Sequence, residues 1–268
     1  MLLQEPGHSP YDLRFELLGF PVRVAWSFWL AALLIGWQIV LGVEGILGDD
    51  GLPMPALFAI WSGCVFLSIL IHELGHALAF RQFGVQSSVV LYYLGGLAIP
   101  TSSYSPDRGF GNLSPKQDMW VSFAGPLAQL LSAAVVGLIV VLLGYELTVL
   151  RMMGAPFDMI PGAEGGERLD VVSPGLFALV TFYIFPSVLW AILNLIPVWP
   201  LDGGHIVRSA ILSRGGNVVQ ALWVSVIAAA LVCVYGFSVG DRFLGVMFLV
   251  LGVSSFQAIQ QLSGPRFG

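Results

Sequence analysis

Long apolar runs separated by short polar stretches dominate this chain. A helix that crosses a hydrocarbon core of ~30 Å needs about 20 mostly apolar residues. Six runs meet that length, at about 22–43, 55–80, 119–144, 174–197, 217–237 and 243–262. Between the second and third, the segment Val85 to Leu94 is rich in β-branched and aromatic residues and leads into Gly95-Gly96. That pattern predicts one or two short strands and a turn. Residues 145–173 are Gly-rich and acidic, and read as irregular chain. The pattern as a whole predicts an all-α polytopic membrane protein of about six transmembrane helices, with a small β-strand or hairpin element in the loop after helix 2. No repeat or low-complexity tract interrupts it, so residues 1–268 read as a single membrane-embedded domain.

Composition agrees with this class. Hydrophobic residues make up 57% of the chain and charged residues 10%, against roughly 25% charged in soluble domains. Mean hydropathy is +0.85. The net charge of −5, without any densely basic stretch, argues against nucleic acid as a partner. Cys64 and Cys233 both sit in apolar runs, and two distant cysteines are too few for a disulfide framework or a cysteine-rich zinc site. The first 20 residues carry Glu5, Asp12, Arg14 and Glu16 and do not read as a signal peptide, so the first apolar run is expected to be a membrane anchor. Arg14, Arg23, Arg81, Arg108, Lys116, Arg208, Arg214 and Arg266 fall on one side of the six runs; Arg151, Arg168 and Arg242 fall on the other. Cytoplasmic loops collect Lys and Arg, so both termini and the loop after helix 2 are expected to be cytoplasmic.

Ionisable side chains inside a membrane span are costly and point to function. The second run holds His72-Glu73-Leu74-Gly75-His76. Positions i and i+4 share a helix face, so both imidazoles can grip one Zn²⁺, with Glu73 placed as general base: the H-E-x-x-H arrangement of zinc hydrolases. Such a site takes a third protein ligand. The strongest remaining polar cluster runs from Asn194 through Pro197 and Pro200 to Asp202, Gly203, Gly204 and His205. The prolines prevent a continuous helix there. Asp202 suits a third ligand, and it equally suits the N-cap of a helix over Gly203–Ser213. His205 is a rival ligand.

Together, His72-Glu73-x-x-His76 and Asn194-x-x-Pro197-x-x-Pro200-Leu201-Asp202-Gly203 resemble the site-2 protease family of intramembrane zinc metalloproteases. Gly95-Gly96 and Phe123-Ala124-Gly125-Pro126 agree with that resemblance, which covers roughly residues 14–213. It implies that His72, His76 and Asp202 hold one Zn²⁺ per chain and that Glu73 is the catalytic acid–base. It further implies that Asn194 orients the substrate backbone and that residues near 88–96, Gly95 and Gly96 among them, bind substrate as an added strand. The branch resembled is the core-only one, without a PDZ or nucleotide-sensing domain. The implied activity is regulated intramembrane proteolysis of a membrane-anchored, single-span regulatory protein, in the plasma membrane of a prokaryote. Gln129 stands about where many members have a polar residue, and receives no role. With His72 eight residues before Phe80, the metal would lie about 12 Å along the helix from the cytoplasmic end, so a wet cavity is expected there. Two other classes compete: an inactive relative serving as a scaffold, and a metal-binding or transport protein that cuts nothing. The other spans carry almost no ionisable residues, which weighs against transport.

Overall fold

Strict alternation in Leu13-Arg14-Phe15-Glu16-Leu17 makes the first element a strand, β1 (Leu13–Leu17), paired antiparallel with β2 (Phe20–Val24). Leu18 and Gly19 join them with φ of 53° and 79°, the positive values that a two-residue hairpin turn demands. The structure, a computed structural model, describes residues 7–100, 104–105, 109–110, 113–160 and 162–263. Arg108 and Arg266, both counted in the charge distribution above, lie outside them.

The remaining elements in order are α1 (Trp26–Leu47), α2 (Met54–Gln82), β3 (Ser87–Tyr92), β4 (Gly95–Pro100), the two-residue strands β5 (Tyr104–Ser105) and β6 (Gly109–Phe110), and α3 (Pro115–Leu142). Then come the short α4 (Thr148–Met153) and α5 (Leu169–Val172), followed by α6 (Pro174–Leu195), α7 (Asp202–Ser213), α8 (Val218–Ser238) and α9 (Arg242–Ser263). Among the described residues, α1, α2, α3, α6, α8 and α9 are long and apolar enough to cross a membrane. They leave large apolar side chains such as Leu34, Leu138, Leu142 and Leu231 uncovered, as helices solvated by lipid do. The chain is an integral, multi-pass membrane protein with a small sheet.

Three features differ most from the sequence reading. The first span starts at Trp26, because residues 20–24 are taken by β2. In β2, Val22 and Val24 are buried and pair in parallel with Val89 and Leu91 of β3. The strands β1-β2-β3-β4 thus form one four-stranded sheet in that order, larger than the expected hairpin. The third span starts at Pro115, since proline is tolerated in the first helical turn. Ser114 and Gln117 cap it reciprocally: the Gln117 amide donates to Ser114 Oγ at 3.4 Å, and the Ser114 amide to Gln117 Oε1 at 2.9 Å. The 145–173 stretch is also more ordered than its composition suggests. It holds α4 and α5, whose Val149, Leu150 and Leu169 are buried. Paired backbone bonds close its base, from Glu146 N to Glu167 O and from Glu167 N to Gly144 O.

The chain divides into two compact units, one of residues 1–77, 87–99 and 127–191, the other of 78–86, 100–126 and 192–268. In the first, Trp61 is the largest side chain in a core with Val24, Leu57, Phe177 and Phe182. Its indole N–H donates to Ala32 O at 2.7 Å, and it presses on Gly36, where any Cβ would overlap the ring. Arg23 and Asp12 form a buried ion pair (3.1 Å) at the hairpin. In the second unit, α8 and α9 pack along their length around Ala229 and Phe248. Gly236 lies on the backbone of Gly245, which brings these two helices close.

Candidate metal centre

Ser68, His72 and His76 recur at four-residue spacing on α2, so they share one face. The helix forms because Met54–Gln82 is almost continuously apolar, and the polar residues are placed by that periodicity. His72, Glu73 and His76 are all buried, at 2%, 4% and 7% exposure. The two imidazoles meet edge to face, with ring centroids 4.8 Å apart, and their Nε2 atoms are 3.1 Å apart. Two nitrogens bound to one tetrahedral zinc at ~2.0–2.1 Å sit about 3.3 Å from each other. The pair therefore fits a shared cation, and a buried donor pair of this kind has little purpose in packing. The helix continues ten residues past His72, to Gln82, which is about 15 Å and deeper than the sequence reading placed it.

Glu73 faces the sheet. A Cβ built on Gly96 would strike Cγ and Oε1 of Glu73, and one on Gly95 would strike the Trp190 ring. Gly95 also has φ +114°, a conformation that side chains disfavour. Both glycines of β4 are thus required by close approach, and Gly96 gives the Glu73 carboxylate its room. β4 is the terminal strand in the sheet order. Tyr92, buried on β3, has its phenol pushed up by burial, with the nearby Tyr93 and Glu73 charges acting in the same direction.

Sequence reasoning missed the polar chain behind His72. Gln129 of α3 is fully buried. Its Oε1 lies 2.9 Å from His72 Nδ1, and its Nε2 donates to Ser68 Oγ at 2.7 Å. Ser68 Oγ is 2.8 Å from Ser187 Oγ, which donates to Tyr183 O at 2.6 Å. The available signal was an amide side chain in an otherwise apolar run, and only its contacts give it meaning.

Asn194 and Asp202 belong to the second unit. Asn194 lies in the last turn of α6. Between α6 and α7 the chain turns through Ile196–Leu201, where the Trp199 amide donates to Ser225 Oγ at 3.1 Å and Ser255 Oγ donates to Trp199 O at 3.3 Å. Asp202 is the first residue of α7, and the N-cap position, with extended backbone, falls to Leu201. Gly203 and Gly204 continue the helix. A Cβ on either would collide with backbone of residues 195–199, so they serve close approach rather than unusual dihedrals. His205 lies against Trp199 with ring centroids 4.3 Å apart and planes tilted by 35°. Further along α7, Arg208 and Ser209 bond Asp118 of α3 at 3.3 and 2.5 Å, all three buried. This anchors the helix that begins with Asp202.

The structure therefore brings His72, Glu73, His76, Gly95 and Gly96 into one unit and puts Asn194 and Asp202 in the other. The family model described as Peptidase family M50 matches residues 61–235, which include both motif segments. The chain is 27% identical over 211 residues to Rip3 of Mycobacterium tuberculosis, provisionally named a zinc metalloprotease; the match covers 77% of this chain and 45% of Rip3. It is 24% identical over 207 residues to a zinc metalloprotease of Methanocaldococcus jannaschii, covering 76% of this chain and 46% of that protein. The chain spans about half the length of the curated relatives it matches. A solved site-2 protease from Methanocaldococcus jannaschii aligns with a TM-score of 0.49 at 20% identity, over 93% of this chain and 95% of that one.

Proposed function

This chain belongs to peptidase family M50, the site-2 protease family of zinc metalloproteases, and from that premise we propose that it is a zinc-dependent endopeptidase. It hydrolyses peptide bonds in or near the transmembrane segment of membrane-anchored proteins, in the manner of regulated intramembrane proteolysis. The observation that carries this reading is the buried His72–His76 pair, Nε2 atoms 3.1 Å apart, with Glu73 beside it on the same helix.

His72 and His76 hold one zinc ion per chain, and Asp202 is the third ligand. In favour of Asp202 stand its carboxylate, its place one residue inside α7 rather than at the cap, and the Asn-x-x-Pro-x-x-Pro-Leu-Asp-Gly segment within the matched residues. When bound, zinc acts as a Lewis acid that polarises the scissile carbonyl and acidifies water. Glu73 takes the proton from the attacking water on its carboxylate and returns it to the leaving nitrogen, one group serving as base and then acid. Asn194 donates to the substrate backbone. Gly95 and Gly96, on the terminal strand β4, accept substrate as an added strand; strand addition replaces the backbone bonds that a helical substrate gives up. The distribution of Lys and Arg favours cytoplasmic termini, and the prokaryotic sources of the similar proteins favour a prokaryotic plasma membrane as the setting.

The test is cleavage of a single-span, membrane-anchored substrate by the purified chain in bilayers. Glu73→Gln is expected to abolish cleavage while retaining zinc. Unchanged cleavage by that variant removes the mechanism, and a wild-type chain that binds no zinc removes the reading.

A further inference from the structure

We propose that Gln129 is a positioning residue for the metal site: it holds His72 in the tautomer protonated at Nδ1, so that Nε2 presents a bare lone pair beside His76 Nε2. This rests on the reading of His72 and His76 as ligands, and adds to it how the first imidazole is prepared.

The polar chain is ordered from its far end. Tyr183 O is a backbone carbonyl and can only accept. The single hydroxyl proton of Ser187 goes to it, in the i−4 bond common for helical serines. Ser187 Oγ must then accept from Ser68. The Ser68 proton is thereby committed, so Ser68 Oγ accepts from Gln129, which requires the amide nitrogen on that side. The amide oxygen is then left facing His72 Nδ1 at 2.9 Å. An amide oxygen cannot donate, so Nδ1 carries the hydrogen and Nε2 does not. Each step has one outcome because every hydroxyl has one proton to give. Gln129 and Ser187 are fully buried and Ser68 nearly so, which leaves water little access to break the order. The chain joins residues of α2, α3 and α6 that all lie in the first unit, and its direction is set by a helix carbonyl four hydrogen bonds from His72 Nδ1.

Partners that orient a ligating histidine typically contribute 10–100-fold in metal affinity. The experiment compares wild type, Gln129→Leu and Gln129→Glu as full chains in detergent. It measures zinc affinity by chelator competition, the visible spectrum of the Co²⁺-loaded protein, and the ¹⁵N shifts of His72 without metal. Gln129→Leu, similar in size but without an acceptor, is expected to lose about 10–100-fold in zinc affinity, shift the Co²⁺ bands and lose the pure Nδ1–H signature. Gln129→Glu keeps an acceptor at the same atom and is expected to restore affinity to within a few fold and to keep the tautomer. A structural role alone would leave the spectra of folded protein unchanged and would make Glu the worse substitute. Gln129→Leu with wild-type affinity, or wild-type His72 protonated at Nε2, overturns the proposal. Absence of zinc binding in the wild type overturns the parent reading instead.

Discussion

Adding one methyl group at Gly96 tests whether the sheet sets the position of the Glu73 carboxylate. An alanine Cβ there would come within contact of Glu73 Cγ and Oε1, closer than ordinary van der Waals contact by roughly an ångström. The strand backbone cannot give way freely, because β4 is bonded to β3, so the side chain of Glu73 moves. Overpacking of this kind costs about 1–3 kcal/mol of stability. The catalytic consequence is larger, since a misplacement of about 1 Å costs on the order of 10²-fold in rate. Gly96→Ala is therefore expected to lower kcat about 100-fold while zinc content stays at the wild-type level, because neither histidine is touched. The assay is substrate cleavage in bilayers at saturating substrate, paired with metal analysis and thermal unfolding of the same preparation. Gly95→Ala is the comparison: it meets Trp190 and an unfavourable φ of +114° rather than Glu73, so its larger loss is in stability and substrate binding. Wild-type kcat in folded Gly96→Ala would refute the assignment of that glycine to Glu73, and zinc lost in parallel with activity would move the defect to the metal.

Two further variants probe the second unit. Asp202→Ala is expected to lower both zinc content and cleavage; a full equivalent of zinc by metal analysis in that variant would remove Asp202 from the ligand set. Asp118→Ala leaves Arg208 buried without its carboxylate, and breaking a buried pair in this way costs about 3–5 kcal/mol. Denaturation in detergent should show that loss, and an unfolding midpoint equal to wild type would mean that the Asp118–Arg208–Ser209 contact does not hold α7.

Much of the architecture was legible without coordinates. The six spans are visible because a 20-residue apolar run is a local property that the bilayer selects by length; their observed ends moved by a few residues, as at Trp26 and Pro115. The His72–Glu73–His76 arrangement was visible because i and i+4 on any helix face the same way. The alternation of Leu13 to Leu17 was also legible in principle and went unread. That β2 would pair in parallel with β3 was not, since Val22 and Val89 come together only after two long helices intervene.

The sequence by itself determined a polytopic membrane protein with two imidazoles and a carboxylate on one apolar helix, because spacing along a helix needs no partner to be meaningful. Tertiary structure alone decided which atoms around those residues matter: Gly96 beneath Glu73, and Gln129 behind His72. Both are long-range contacts made by side chains of no distinctive chemistry. An amide or a missing methyl acquires a role only from what is packed against it, and packing between segments dozens of residues apart leaves no periodicity in the chain.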